Sequence, residues 1–146
     1  MKMVPASVIG TQSDAECKVF GFLEAARFGG RDVALHSLNI GRHEYKRWGE
    51  IDFLVVTRRG LLVLEVKGGR VACKDGMWEF TNRHGQVSTK KESPAAQAGS
   101  AFFSLEKNYL KPRFKNALRG VPMGWAVIFP DIERSKGPAA GLSAEQ

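Results

Sequence analysis

Three ionisable residues, Asp52, Glu65 and Lys67, sit inside stretches that are otherwise apolar. Burying an ionised group is costly unless it is paired or put to use, so their presence needs a reason. Residues 51–56 and 61–67 read as two strands joined by a connection of hairpin length. Glu65 and Lys67 are two apart on one strand and therefore point to one face. The hairpin register decides whether Asp52 joins them. A loop of Arg58 and Arg59 pairs Thr57 with Gly60 and sets Asp52 opposite Glu65. A loop of Arg59 and Gly60 pairs Arg58 with Leu61 and sets Asp52 opposite Lys67. Both gather the three charges on one face, whereas a three-residue loop turns Asp52 away. We take the even register for that reason. Two neighbouring carboxylates repel unless compensated, and a hard divalent cation that prefers carboxylate and water oxygens compensates them. A lysine beside them supplies a point charge for a phosphate or an attacking water. Such a set matches metal-assisted hydrolysis of a phosphodiester. The plainer alternative is a structural ion pair in which Lys67 neutralises Glu65 or Asp52.

The elements that must position these residues are legible from pattern. Ser13 and Glu16 mark a helix start, with apolar residues following at Ala15, Val19, Phe22, Leu23 and Ala26. Gly29 and Gly30 are expected to end that helix. Residues 33–38 read as a strand, ahead of a polar loop and the two strands above. Both of these strands are apolar on both faces, as buried central strands are, and Gly68-Gly69 stops the second. Residues 70–90 read as a hairpin or meander around the turn dipeptide Asp75-Gly76. A second helix starts at Ser93-Pro94, carries Ala98, Phe102, Leu105 and Tyr109 on one stripe, and is expected to close at Pro112. Residues 125–129 read as a final buried strand. The order helix, strand, strand, strand, hairpin, helix, strand predicts an α/β domain around one mixed sheet.

Composition sets the outer bounds. The chain has 146 residues, 43% hydrophobic and 25% charged, which fits one soluble globular domain. No apolar run is long enough to span a membrane, and the N-terminus has no signal-peptide core, which points to the cytoplasm. Two cysteines, Cys17 and Cys73, are too few for a disulfide scaffold and are expected to be small buried hydrophobes. His36, His43 and His84 are too scattered for a zinc site or a general base. Lys and Arg number 22 against 15 Asp and Glu, a net charge of +7 that favours polyanionic partners such as nucleic acid. Residues 1–134 are read as the domain and 135–146 as a linker or truncated end.

The stretches Gly49-Glu50-Ile51-Asp52-Phe53-Leu54-Val55-Val56 and Gly60-Leu61-Leu62-Val63-Leu64-Glu65-Val66-Lys67 resemble the nuclease-related domain, NERD, of the PD-(D/E)XK superfamily. The likeness extends upstream to Ser13-Asp14-Ala15-Glu16 and downstream to Ser93-Pro94-Ala95-Ala96-Gln97-Ala98, over roughly residues 10–130. It implies a restriction-endonuclease-like core, a central mixed sheet flanked by helices. It implies a DNA endonuclease dependent on Mg²⁺ or Mn²⁺, in which Asp52 and Glu65 bind the metal and the carbonyl of Val66 adds a ligand. Lys67 would orient water or stabilise the phosphate. Glu16 would hold a water on the metal or complete the acidic cluster, with helix capping as its competing explanation. Gln97 would support the site or touch DNA. Asp131, after Pro130, lies on the wrong side of Glu65 in the chain, so the metal aspartate is placed at Asp52. Such domains are often fused to helicases, and a junction-resolving or restriction-type dimer is also compatible. The main alternative is a nucleic-acid-binding module on the same fold that does not cut; a second is a structural or protein-interaction domain whose charges form an internal ion-pair network.

Basic residues near these motifs are candidates for backbone contacts without sequence preference: Arg47, Lys90, Lys91 and Lys111 above all. Trp48 is a candidate for stacking on a base. Trp78 and Trp125 are expected in the core.

Overall fold

A computed structural model describes residues 1–11, 13–27, 29–41, 49–82 and 84–132. Arg47, Trp48, His43 and the 135–146 segment lie outside the described residues. The first strand, β1 (Lys2–Val4), precedes helix α1 (Asp14–Ala25). Strands β2 (Val33–Ile40), β3 (Gly49–Thr57) and β4 (Gly60–Val66) follow, then β5 (Arg70–Lys74), β6 (Met77–Thr81) and β7 (Val87–Lys90). Helix α2 (Pro94–Leu105) continues through a π turn (Glu106–Leu110) into the short α3 (Lys111–Phe114), and β8 (Met123–Ile128) ends the fold.

A five-stranded mixed sheet, ordered β1-β2-β3-β4-β8, forms the centre. The pairs β1–β2 and β4–β8 are parallel; β2–β3 and β3–β4 are antiparallel. The β3–β4 hairpin pairs Thr57 with Gly60 around Arg58 and Arg59, the first of the two even registers. Helices cover both faces. On one, Ala15, Val19 and Phe20 of α1 pack with Ala34, Phe53, Val55, Leu64 and Val66. On the other, Ala101, Phe102 and Leu105 of α2 pack with Ile40, Ile51, Leu54 and Val63. The second sheet, β5-β6-β7, is a meander whose first turn, Asp75-Gly76, has positive φ at both residues, as a tight two-residue hairpin turn requires. The architecture is mixed α/β and restriction-endonuclease-like.

Several local expectations are corrected. Helix α1 ends at Ala25, before Gly29-Gly30, because Ala26 turns to an extended conformation while its N–H still bonds back to Phe22 and Leu23. Phe22 is solvent-exposed, and the buried stripe runs through Ala15, Val19 and Phe20. Pro112 does not close the second helix. The N–H of Lys111 bonds to the carbonyl of Glu106, five residues back, and the widened turn carries the chain into α3 with Pro112 in its first turn, where its missing N–H is harmless. Cys17 and Cys73 are exposed, on the outer side of α1 and on the solvated β5. Trp78 is half-buried and Trp125 is 39% exposed, its indole lying over Gly99 of α2.

Candidate active site

Side chains of a regular strand alternate between faces, so residues two apart share one. β2 and β3 break that rule together. Phe53 belongs to the core under α1, yet Ile51 belongs to the core under α2. His36 packs on Phe20 and Phe53 of the first core, yet Leu38 packs against the second. The break falls on Ser37 and Asp52, the register partners that the β2–β3 ladder skips. Ser37 has φ +52°, a left-handed conformation uncommon for a residue with a Cβ. The dislocation leaves Asp52 in neither hydrophobic cluster. Its ladder with β4 also stops, at Phe53–Leu64. In place of main-chain pairing, Asp52 Oδ2 accepts the N–H of Val66 at 2.7 Å.

Glu65 is next to that peptide and opposite Asp52. It is 3% exposed, and Lys67 Nζ donates to its Oε1 at 2.6 Å. Burial first, and then the charge of Glu65, push the Asp52 carboxyl from an ordinary 3.8 up to about 7. The Val66 N–H opposes this, Glu16 adds to it, and Lys67 offsets a little. The strand then leaves through Gly68 and Gly69. A Cβ on Gly68 would lie 2.8 Å from Ala15 Cβ, and one on Gly69, at φ +73°, would lie 2.1 Å from the Thr81 carbonyl oxygen. The glycine pair lets the chain slip between the first turn of α1 and the small sheet.

Glu16 comes to this edge from α1. Ser13 Oγ accepts the Glu16 N–H at 3.3 Å, as an N-cap does. The reciprocal half of a capping box is replaced: the Ser13 N–H goes to Thr11 Oγ1 at 3.0 Å, and Glu16 Oε2 takes a hydrogen bond from His36 Nε2 at 3.2 Å. His36 was passed over in the sequence because it has no neighbour there. The signal was present all the same, since a histidine in an apolar strand raises the question that Glu65 raises.

Gln97 is half-buried in the first turn of α2, and its side chain has no hydrogen-bond partner among the described residues. Lys90 and Lys91 are exposed at the end of β7, beside the strand whose Phe80 ring lies 6.0 Å from Lys67 Nζ. Lys111 is not brought to the cluster. It pairs with Glu106 at 3.3 Å and shares a groove with Lys115, Arg119 and Met123. Met123 pairs with Leu61, four residues before Glu65, about 13 Å away along the strand. Asp131 is engaged elsewhere: it pairs with Lys18 and accepts the Gly69 N–H at 2.8 Å. Lys18, then that N–H, hold its carboxyl below the usual range.

The donor set suits a hard divalent cation. Among the described residues no three His, Cys, Asp or Glu side chains are grouped as a metal cage. Mg²⁺ does not need one, since it is commonly held by one or two carboxylates and keeps several waters. Asp52 and Glu65 supply two carboxylates on facing strands, and the Val66 peptide lies between them. The raised Asp52 pKa, due to burial first and to the neighbouring Glu65 carboxylate second, marks a place where added positive charge would favour the ionised form. No described helix is long and apolar enough to cross a membrane. A family model for the nuclease-related domain, NERD, matches residues 11–130. No curated protein and no solved structure matches the chain.

Proposed function

From the premise that the chain belongs to the nuclease-related domain family, we propose that it is a divalent-metal-dependent endonuclease domain that hydrolyses DNA phosphodiesters. The observation that carries this reading is the pair Asp52 and Glu65 on facing strands where β3 and β4 stop pairing, with Lys67 bonded to Glu65 and the charge of Glu16 felt at Asp52. Asp52, Glu65 and the Val66 carbonyl would hold Mg²⁺ or Mn²⁺, which supplies positive charge against the charge developing on the phosphate. Lys67, whose ammonium donates to Glu65 Oε1 at 2.6 Å, would orient water or stabilise the phosphate. Glu16 would hold a water on the metal or complete the acidic cluster at the same edge. The net positive charge favours contacts to the DNA backbone, for which Lys90 and Lys91 at the end of β7 and Lys111 in its separate groove are candidates. A helicase-type partner, fused or associated, would deliver the strand.

Cleavage of supercoiled, linear and single-stranded DNA with Mg²⁺, Mn²⁺ or EDTA tests this, beside Glu65→Ala purified identically. The expected result is metal-dependent nicking that the variant loses. Equal activity in both proteins refutes the site. Salt-sensitive DNA binding without cleavage supports a non-cutting binding module on the same fold instead.

A further inference from the structure

We propose that His36 is a positioning residue, holding the Glu16 carboxylate at the edge occupied by Asp52. This rests on the nuclease reading above. The His36 side chain is fully buried. Its ring stacks on Phe53 at 4.7 Å between centroids and meets the edge of Phe20 at 5.7 Å. Two aromatic walls fix the ring plane, and with it the place of Nε2. A carboxylate oxygen accepts, so Nε2 donates to Glu16 Oε2.

The other ring nitrogen shows what the histidine is for. Nδ1 is buried with no hydrogen-bond partner among the described residues. A buried polar atom left unsatisfied opposes folding, and a phenylalanine in the same slot would avoid that cost. Packing alone therefore does not account for histidine here, whereas the polar contacts of Nε2 do, with Glu16 Oε2 at 3.2 Å the shorter and Ser37 Oγ at 3.4 Å the longer. The placement also follows from the sheet. Ser37, in its left-handed conformation, directly follows His36 and stands opposite Asp52. The same dislocation that frees Asp52 from the ladder leaves His36 as the last β2 residue facing α1. Glu16, on the first turn of α1, is thereby turned toward the sheet and adds its charge to that of Glu65 at Asp52.

The test is Mn²⁺ binding to the full chain by calorimetry without DNA, run beside DNA cleavage and thermal melts. His36→Phe fills the slot without a donor, and His36→Gln returns an amide N–H near the place of Nε2. Partners that orient the acidic groups of metal sites are worth about 10–100-fold in affinity or activity. His36→Phe is expected to fold and to weaken Mn²⁺ binding about tenfold, and His36→Gln to recover most of the loss. Equal impairment of the two variants overturns the inference, because packing would then be the role. If His36→Phe binds Mn²⁺ and cleaves as the wild type does while Asp52→Asn does neither, the inference falls and the nuclease reading stands. If His36→Phe does not fold, Glu16→Ala must show the same loss of Mn²⁺ affinity, and unchanged affinity overturns the proposal. A wild-type chain that neither binds Mn²⁺ nor cleaves overturns the nuclease reading and this inference with it.

Discussion

Replacing Asp52 by Asn is expected to stabilise the protein at alkaline pH in the absence of metal. The carboxyl titrates near 7 when folded against 3.8 ordinarily, a difference of about 3 pH units. At 1.36 kcal/mol per unit, ionising it in place costs about 4 kcal/mol. The sign follows from proton binding. Below pH 3.8 both folded and unfolded chains carry the proton, and nothing is lost. Between pH 4 and 7 the folded chain holds a proton that the unfolded chain has released, so stability falls as pH rises. Above pH 7 the full penalty is present. Asn keeps the shape and an acceptor for the Val66 N–H, yet cannot ionise. At pH 8.5 in EDTA the variant should therefore exceed the wild type by up to about 4 kcal/mol, or about 8–16 °C in Tm for a domain of this size. At pH 4 the two should melt together. Added Mg²⁺ should raise the wild-type Tm at pH 8.5 and leave the variant unmoved. Chemical denaturation at both pH values measures the difference. A variant less stable than wild type at pH 8.5, or a gap that does not change with pH, refutes the reasoning.

Lys67→Met removes the ammonium bonded to the buried Glu65 and should cost about 3 kcal/mol in denaturant melts; a loss under about 1 kcal/mol would show that Glu65 does not depend on it. Gly69→Ala should cost at least about 2 kcal/mol, from its positive φ and the clash with Thr81, and a neutral effect would refute the close approach described at that turn. Asp131→Asn should cost under about 1 kcal/mol at pH 7, since the Lys18 pair is open to water. That contribution is present at neutral pH and disappears as pH falls through the lowered pKa of Asp131, so wild type and variant should converge in acid melts.

The hairpin and its charges were legible because their information is local. Arg58 and Arg59 make a two-residue turn between apolar runs, and the pairing of Thr57 with Gly60 carries Asp52 to Glu65 by counting. Ser13 and Ser93 likewise announce their helices, and each caps the N–H three residues on. The end of α1 was misread because Gly29-Gly30 is the stronger stop signal, whereas the chain turns earlier, at Ala26. β1 is three residues long and is specified by parallel pairing to β2, which no local pattern encodes. The π turn before Pro112 is invisible to a reading of apolar stripes, since Tyr109 and Leu110 still reach the core under α2. The largest omission, the joint dislocation at Ser37 and Asp52, is a relation between two strands. Each strand alone reads as regular, with polar residues such as Ser37 and Asp52 interrupting apolar ones, so which residues belong to which core emerges only when both are paired.

The architectural task of Asp52 is to accept the Val66 N–H, which an uncharged amide oxygen can also do, so charge and architecture are separable at this position. On the proposed reading, a lineage that exchanges the aspartate for asparagine would forfeit hydrolysis and, above neutral pH without metal, gain a sturdier fold. Descent from cutter to mere binder would thus run downhill in stability terms, one substitution long. If the proposed activity holds, retention of the acid in a descendant would then mark selection on catalysis, since the metal-free fold at alkaline pH favours its removal.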